Sequence, residues 1–167
     1  MHQSSLFGRA TAIVVVAILS FVATSSMAGN MKLTISGYAT PIDVLSFSIG
    51  ATRSSTTVNY QNVSITALES ALTPLLLGWT SSGFTGATAV LQVLSATTAA
   101  PISDWTLSGW GMTSTSVSGV STASSSTAAA PTTNFSMKFT TITYRVFAPD
   151  GSVAQRTCWN VNTNLAC

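Results

Sequence analysis

Between residues 42 and 50 apolar and hydroxyl side chains take turns: after Val44, Leu45, Phe47 and Ile49 fall on one parity and Ser46 and Ser48 on the other. A period of two with one apolar and one polar face marks a strand that covers a core on one side and meets water on the other. Gly50 lets the chain bend, so this strand ends there or runs on no further than Arg53. Residues 31–38 predict an earlier strand, with Leu33 and Ile35 set against Lys32, Thr34 and Ser36, and Pro41 breaks it. Residues 54–59 read as a polar connection, and Val63, Ile65 and Ala67 mark a third strand.

The period changes once. In residues 70–78 Thr73 is a capping candidate, Pro74 suits a first helical turn, and Leu75, Leu76 and Leu77 supply an apolar face. One short helix is predicted, starting near Ser70 or Thr73 and ending by Gly83, with Glu69 near its positive end. Strands resume at 87–96 and 104–116. Residues 117–133 are Ser, Thr, Ala and Gly up to Pro131, a composition with too little apolar area to order itself.

Residues 134–147 form the longest strand candidate. Phe135, Met137 and Phe139 share one face, and Ile142, Tyr144 and Val146 continue on the opposite parity. A switch at Thr140 and Thr141 fits a β-bulge, the device that bends a sheet toward closure. Pro149-Asp150-Gly151 is a turn, and residues 153–159 return as the second arm of a hairpin. Seven or so short strands with one helix after the third predict a mainly β fold: a compact antiparallel β-barrel or two-sheet sandwich with one short α-helix.

The start of the chain is of a different kind. Residues 1–9 carry His2 and Arg9 and no acid, residues 10–24 are apolar, and Ser26-Met27-Ala28 places small residues where a signal peptidase reads. The apolar run is about 15 residues, short of the roughly 20 a spanning helix needs. A signal peptide over 1–28 is therefore expected, with cleavage after Ala28, a secreted or periplasmic product and no stable membrane span afterwards. A domain of about 140 residues remains, large enough for its own core.

Five cations (Lys32, Arg53, Lys138, Arg145, Arg156) then face four acids (Asp43, Glu69, Asp104, Asp150). That balance gives no cluster for nucleic acid. Polarity comes from 26 Ser and 26 Thr. Such a surface has little charge repulsion to keep copies apart.

His2, the single histidine, lies in the leader. Without a histidine, the remaining chain cannot supply the base of a Ser-His-Asp or Cys-His system, nor a usual zinc site. The four acids are scattered at a strand start, a helix start, another strand start and a turn. No phosphate-cradling glycine motif appears, and Gly109 and Gly111 read as strand irregularities. No enzyme activity, metal or cofactor is expected. The sequons at Asn62 and Asn134 have apolar middle residues, Val63 and Phe135, that read as buried.

Cys158 and Cys167 are the candidate disulfide, joined within the chain or between neighbouring subunits. Trp79, Trp105, Trp110 and Trp159 raise an alternative, a secreted carbohydrate-binding or adhesive module. Core or interface packing is the competing role for large aromatics.

The order of these pieces resembles the Hcp family, the ring-forming tube proteins of type VI secretion systems. Residues 42–50 resemble one of its strands, residues 58–66 its third strand, residues 70–77 its proline-containing helix, and residues 134–151 its last long strand and turn. The resemblance runs over most of residues 31–153, giving an Hcp-like domain at 29–153 and a C-terminal extension with two Cys at 154–167. It implies a structural subunit whose partner is itself: a homo-oligomeric ring, six copies in the family, stacked into tubes and able to hold small cargo, with cargo or spike proteins as further partners. Three features depart from the family: the leader, the short loop over 51–57 where the family has a longer excursion that helps rings grip, and the Cys-bearing tail. The expectation is an exported Hcp-like ring or fibre subunit.

Overall fold

The computed structural model describes residues 30–54, 57–119 and 130–167, so the predicted leader and the centre of the Ser/Thr/Ala-rich stretch lie outside the described residues. Eleven strands and one helix follow in order: β1 (Met31–Ile35), β2 (Ile42–Ser48), β3 (Ala51–Ser54), β4 (Thr57–Tyr60), β5 (Val63–Leu68), α1 (Thr73–Ser82), β6 (Thr85–Leu94), β7 (Pro101–Ser118), β8 (Thr132–Lys138), β9 (Thr141–Phe147), β10 (Val153–Asn160) and β11 (Leu165–Ala166). All pairings are antiparallel.

The main sheet runs β11-β10-β9-β7-β6-β1-β2-β5-β8, and β8 also pairs with β7. That second pairing closes β7-β6-β1-β2-β5-β8 into a six-stranded barrel, which settles the choice between barrel and sandwich. Closure removes the sheet edges that would otherwise recruit stray strands. The inside is filled by side chains: Leu33, Val44, Val63, Ala89, Leu91, Leu107 and Met137 have no measurable exposure. Burial of each large aliphatic side chain there contributes about 1.5–3 kcal/mol relative to exposure.

The predicted switch in the long strand falls at Phe139 and Thr140, between β8 and β9. Opposite it, Gly109 has φ +57°, and a Cβ there would overlap Thr140. Thr140 seals the kink by donating its N–H and its hydroxyl to the Ser108 carbonyl, at 3.0 and 2.9 Å. Before the kink β7 pairs with β9, and beyond it with β8. One continuous hairpin thus closes the barrel with one half and projects a wing, β9-β10-β11, with the other.

Several local expectations change. The apolar parity of β2 slips at Leu45, where the register with β5 shifts. Ile42 and Val44 are buried, Leu45 is exposed, and Phe47 packs inward again. The helix begins at Thr73 as its first residue rather than its cap, and the preceding Leu72 makes no side-chain cap. Thr73 instead turns its hydroxyl inward to Thr133, 3.0 Å away. The buried helical residues are Thr73, Leu76 and Trp79, spaced by three; Leu75 and Leu77 are exposed. Gly83 ends the helix in the left-handed region, φ +66°. Because α1 joins the end of β5 to the start of β6, it lies across one end of the barrel.

The largest correction concerns residues 51–60. Residues 51–54 and 57–60 pair as a separate two-stranded hairpin, β3-β4, where a short loop and a polar connection are expected from sequence. The Gln61 N–H donates to the Gly50 carbonyl at 2.8 Å, closing the base of this hairpin.

Candidate assembly surfaces

Among the described residues the acidic side chains lie apart from one another. Asp43 accepts from Lys32 at 2.7 Å, and both are partly exposed. Asp150 accepts from the N–H and hydroxyl of Ser152 at 2.9 and 2.7 Å, which holds its carboxyl below the ordinary range. Glu69 is exposed, and Asp104 is buried beneath Arg145, whose Nε donates to it at 2.9 Å while Nη2 reaches the second oxygen. That bidentate hydrogen bond, with the charge behind it, raises the Arg145 guanidinium against the opposing effect of desolvation. Among the described residues no three His, Cys, Asp or Glu side chains group as metal ligands.

The registers arrange the charged residues in a line. Arg156 lies opposite Arg145, Arg145 opposite Asp104, Asp104 opposite Gln92, Gln92 opposite Lys32, and Lys32 opposite Asp43. Directly opposed residues share a face, and their buried neighbours Leu33, Leu91 and Leu107 occupy the other, so this row runs over the outside. Beside it, Thr106, Thr143, Arg145, Val153 and Arg156 line an open groove. Arg145 and Arg156 form a directly opposed like-charged pair, an arrangement that destabilises a sheet unless an anion lies near.

The other outer half is neutral. Ser48, Ser64, Ser136 and Ser114 make one cross-strand row over β2, β5, β8 and β7; Ser46, Thr66, Asn134 and Ser116 make the next. Thr66 donates to Asn134 at 2.7 Å, and the Ser64 and Ser136 hydroxyls lie 3.2 Å apart. The depression along these rows has hydroxyl, amide and aromatic walls and no ionic group. Both sequons fall beside it, with Val63 and Phe135 buried as expected.

At the end of the barrel away from α1, the β3-β4 hairpin meets the wing. The Val58 N–H donates to Asn164 Oδ1 at 3.0 Å. Tyr60, Trp105, Ile142, Tyr144 and Trp159 surround a cavity of about 200 Å³ between hairpin and wing. Cys158 and Cys167 form a disulfide within the chain, Cα–Cα 5.1 Å, tying β11 and the turn carrying Asn164 to β10.

The tryptophans do not build a sugar-stacking strip. Trp110 and Trp79 are in the core, and Trp110 lies over Gly86. Trp105 is held between Phe47 and Tyr144, with ring centroids 4.8 and 4.7 Å away, and Trp159 is half-buried beside the cavity. The carbohydrate-binding alternative therefore lacks support.

Sequence reasoning missed the charged row and the hairpin. The row is a product of register between strands far apart in the chain. The hairpin did leave a trace, the alternation of Val58 and Tyr60 with Thr57 and Asn59, which merges by eye into the strand that follows.

The chain matches the family model described as "Type VI secretion system effector, Hcp" over residues 21–146. No curated protein matches it. Among solved structures it is similar to Hcp1 from Salmonella typhimurium, at 18% identity and TM-score 0.70, covering 82% of this chain and 97% of that one. A type VI secretion system effector from Yersinia pestis aligns at 14% identity and TM-score 0.65, covering 78% and 99%. The secreted protein Hcp3 from Pseudomonas aeruginosa aligns at 12% identity and TM-score 0.58, covering 78% and 95%.

Proposed function

The chain belongs to the Hcp family of type VI secretion effectors, and on that premise we propose that it is an exported tube-type subunit that closes with identical copies into a ring. Six copies, stacking of rings into tubes or fibres, and a lumen that holds cargo follow from the family resemblance. The role is structural. The observation that carries the reading is the closed barrel with its fixed projections: a filled core, a wing on one flank and a hairpin at one end. Such a body offers distinct surfaces for lateral and axial contacts with copies of itself. The hairpin is the natural candidate for the excursion that lets one ring grip the next.

Export is supported by the three-part leader and by the disulfide, a bond that persists in oxidising compartments. The Hcp-like domain then begins at residue 29, and the tail from residue 154 is an addition serving the wing.

Electron microscopy of the purified exported protein, paired with its light-scattering mass, tests the assembly. Rings or tubes of uniform diameter are expected, whereas a dispersed monomer at high concentration would sink the reading. Mass spectrometry of the same sample reads the amino terminus, expected at Gly29.

A further inference from the structure

The charged row gives the proposed ring a direction. In a closed barrel of six strands, β2 lies three steps from β7 either way round, so it sits diametrically opposite the strand from which the wing springs. The wing flank carries Arg145 and Arg156. The far flank carries Asp43 on β2, and Glu69 stands just past the end of the neighbouring β5; Val44 is in register with Ala67, so Asp43 lies opposite Leu68 and Glu69 one residue further toward α1. A ring of identical copies needs two unlike patches on opposite flanks, because its contacts are head to tail.

The individual groups fit that need. Among the described acidic side chains Glu69 is the one with neither an ion pair nor a side-chain hydrogen bond. Arg156 is exposed, has no ion pair, and stands against Arg145 in the groove, with the threonine hydroxyls of Thr106 and Thr143 beside it. Only one of the two guanidiniums is neutralised from within the chain, by Asp104.

We propose, resting on the ring reading above, that the groove formed by Arg145 and Arg156 receives a second copy of this chain, and that Glu69 of the neighbouring copy is the carboxylate it takes. The bidentate geometry of arginine toward a carboxylate fixes orientation as well as attraction. In a surface otherwise built from hydroxyls, this pair selects one lateral register over others.

The test is a charge exchange in the full-length chain, purified after export, with light-scattering mass followed over a dilution series. Glu69→Arg and Arg156→Glu should each weaken assembly by roughly 10–100-fold, and the double exchange should restore most of it. Circular dichroism and the thermal midpoint check that each variant folds; where one does not, Glu69→Gln and Arg156→Gln replace it and should weaken assembly less. Wild-type rings that persist unchanged in both single variants would overturn the contact and leave the ring reading standing. Folded single variants that dissociate, with a double exchange that stays dissociated, would overturn the pairing. A wild-type chain that is monomeric throughout would remove the ring reading and the contact together.

Discussion

At the residue scale, glycine shows how one substitution can take either sign. Gly78 is exposed in the middle of α1, and a Cβ there meets nothing within 4 Å. Gly78→Ala should raise stability by about 0.5–1 kcal/mol by removing freedom from the unfolded chain. Gly86 lies under the Trp110 ring, where a Cβ would overlap the indole. Gly86→Ala should lower stability by about 1–3 kcal/mol through overpacking. Urea midpoints of the two variants, compared at equal m-value, check both. Asp104 and Arg145 make a second asymmetric pair, because the carboxylate side chain is 1% exposed and the guanidinium 37%. Arg145→Ala strands a buried carboxylate and should be destabilising by about 3–5 kcal/mol. Asp104→Ala leaves an arginine able to turn to water, with a loss of about 1–2 kcal/mol. Equal losses in chemical denaturation would refute the buried-carboxylate account. Asp150 gives the pH dependence. Its carboxyl is held below the ordinary value by Ser152, so its contribution is present above about pH 4 and disappears as pH falls through the lower native value. The thermal midpoint difference between the parent and Asp150→Ala should therefore close under strong acid and stay constant near neutrality.

At the element scale, the tail serves the hairpin. The Cys158–Cys167 bond closes a loop with sequence separation 9 and restrains the unfolded chain by about 3 kcal/mol on the entropy model. Through Asn164 it also anchors the Val58 amide of β4. Replacing both cysteines with serine should speed hydrogen exchange at Val58 and in β11 while leaving β1 and β6, deep in the barrel, protected. Uniform loss of protection would mean that the tail supports the whole fold. This coupling also marks where the sequence stops being readable. Val63, Ile65 and Ala67 announce β5 because that strand has one face in the barrel core and one in solvent, which is what a period of two encodes. The β3-β4 hairpin sets only Tyr60 against the core, on Phe139. Its other anchor, the Val58 hydrogen bond to Asn164, comes from a tail about a hundred residues away, so its local pattern is polar and reads as a connection. Leu45 misleads for another reason, since a register slip reverses parity without changing composition. The three leucines of α1 mislead because a helix lying across a barrel end needs only residues spaced by three or four. The disulfide residues were visible from sequence as candidates, but the choice between one chain and two depended on the turn that folds β11 back onto β10.

At the scale of the whole molecule, the proposed lateral and axial contacts fall on different parts of the chain. The wing and the β2/β5 flank face sideways, and the β3-β4 hairpin projects from one end. The hairpin is a separable unit: its two strands pair only with each other, β3 is exposed along its length, and Gly50 and Gln61 already meet at its base. Residues 51–60 can therefore be replaced by a two-residue Asn-Gly turn without moving β2 or β5, because such turns join antiparallel strands whose ends are adjacent. The barrel core should survive, since none of the described residues removed is fully buried. Some loss of stability, about 1–3 kcal/mol, is expected where Tyr60 leaves Phe139 and the cavity beside Trp159 opens. If the hairpin grips the next ring, the shortened chain should keep the light-scattering mass of a ring and fail to form tubes in electron micrographs at concentrations where the parent does. Tubes of unchanged length would assign stacking to another surface, with the uncharged hydroxyl rows of β2, β5, β8 and β7 as the next place to mutate. Dissociation to monomers would instead show that the hairpin braces the wing and, through it, the lateral contact; adding the Cys158→Ser and Cys167→Ser changes to the parent chain should then weaken rings in the same direction.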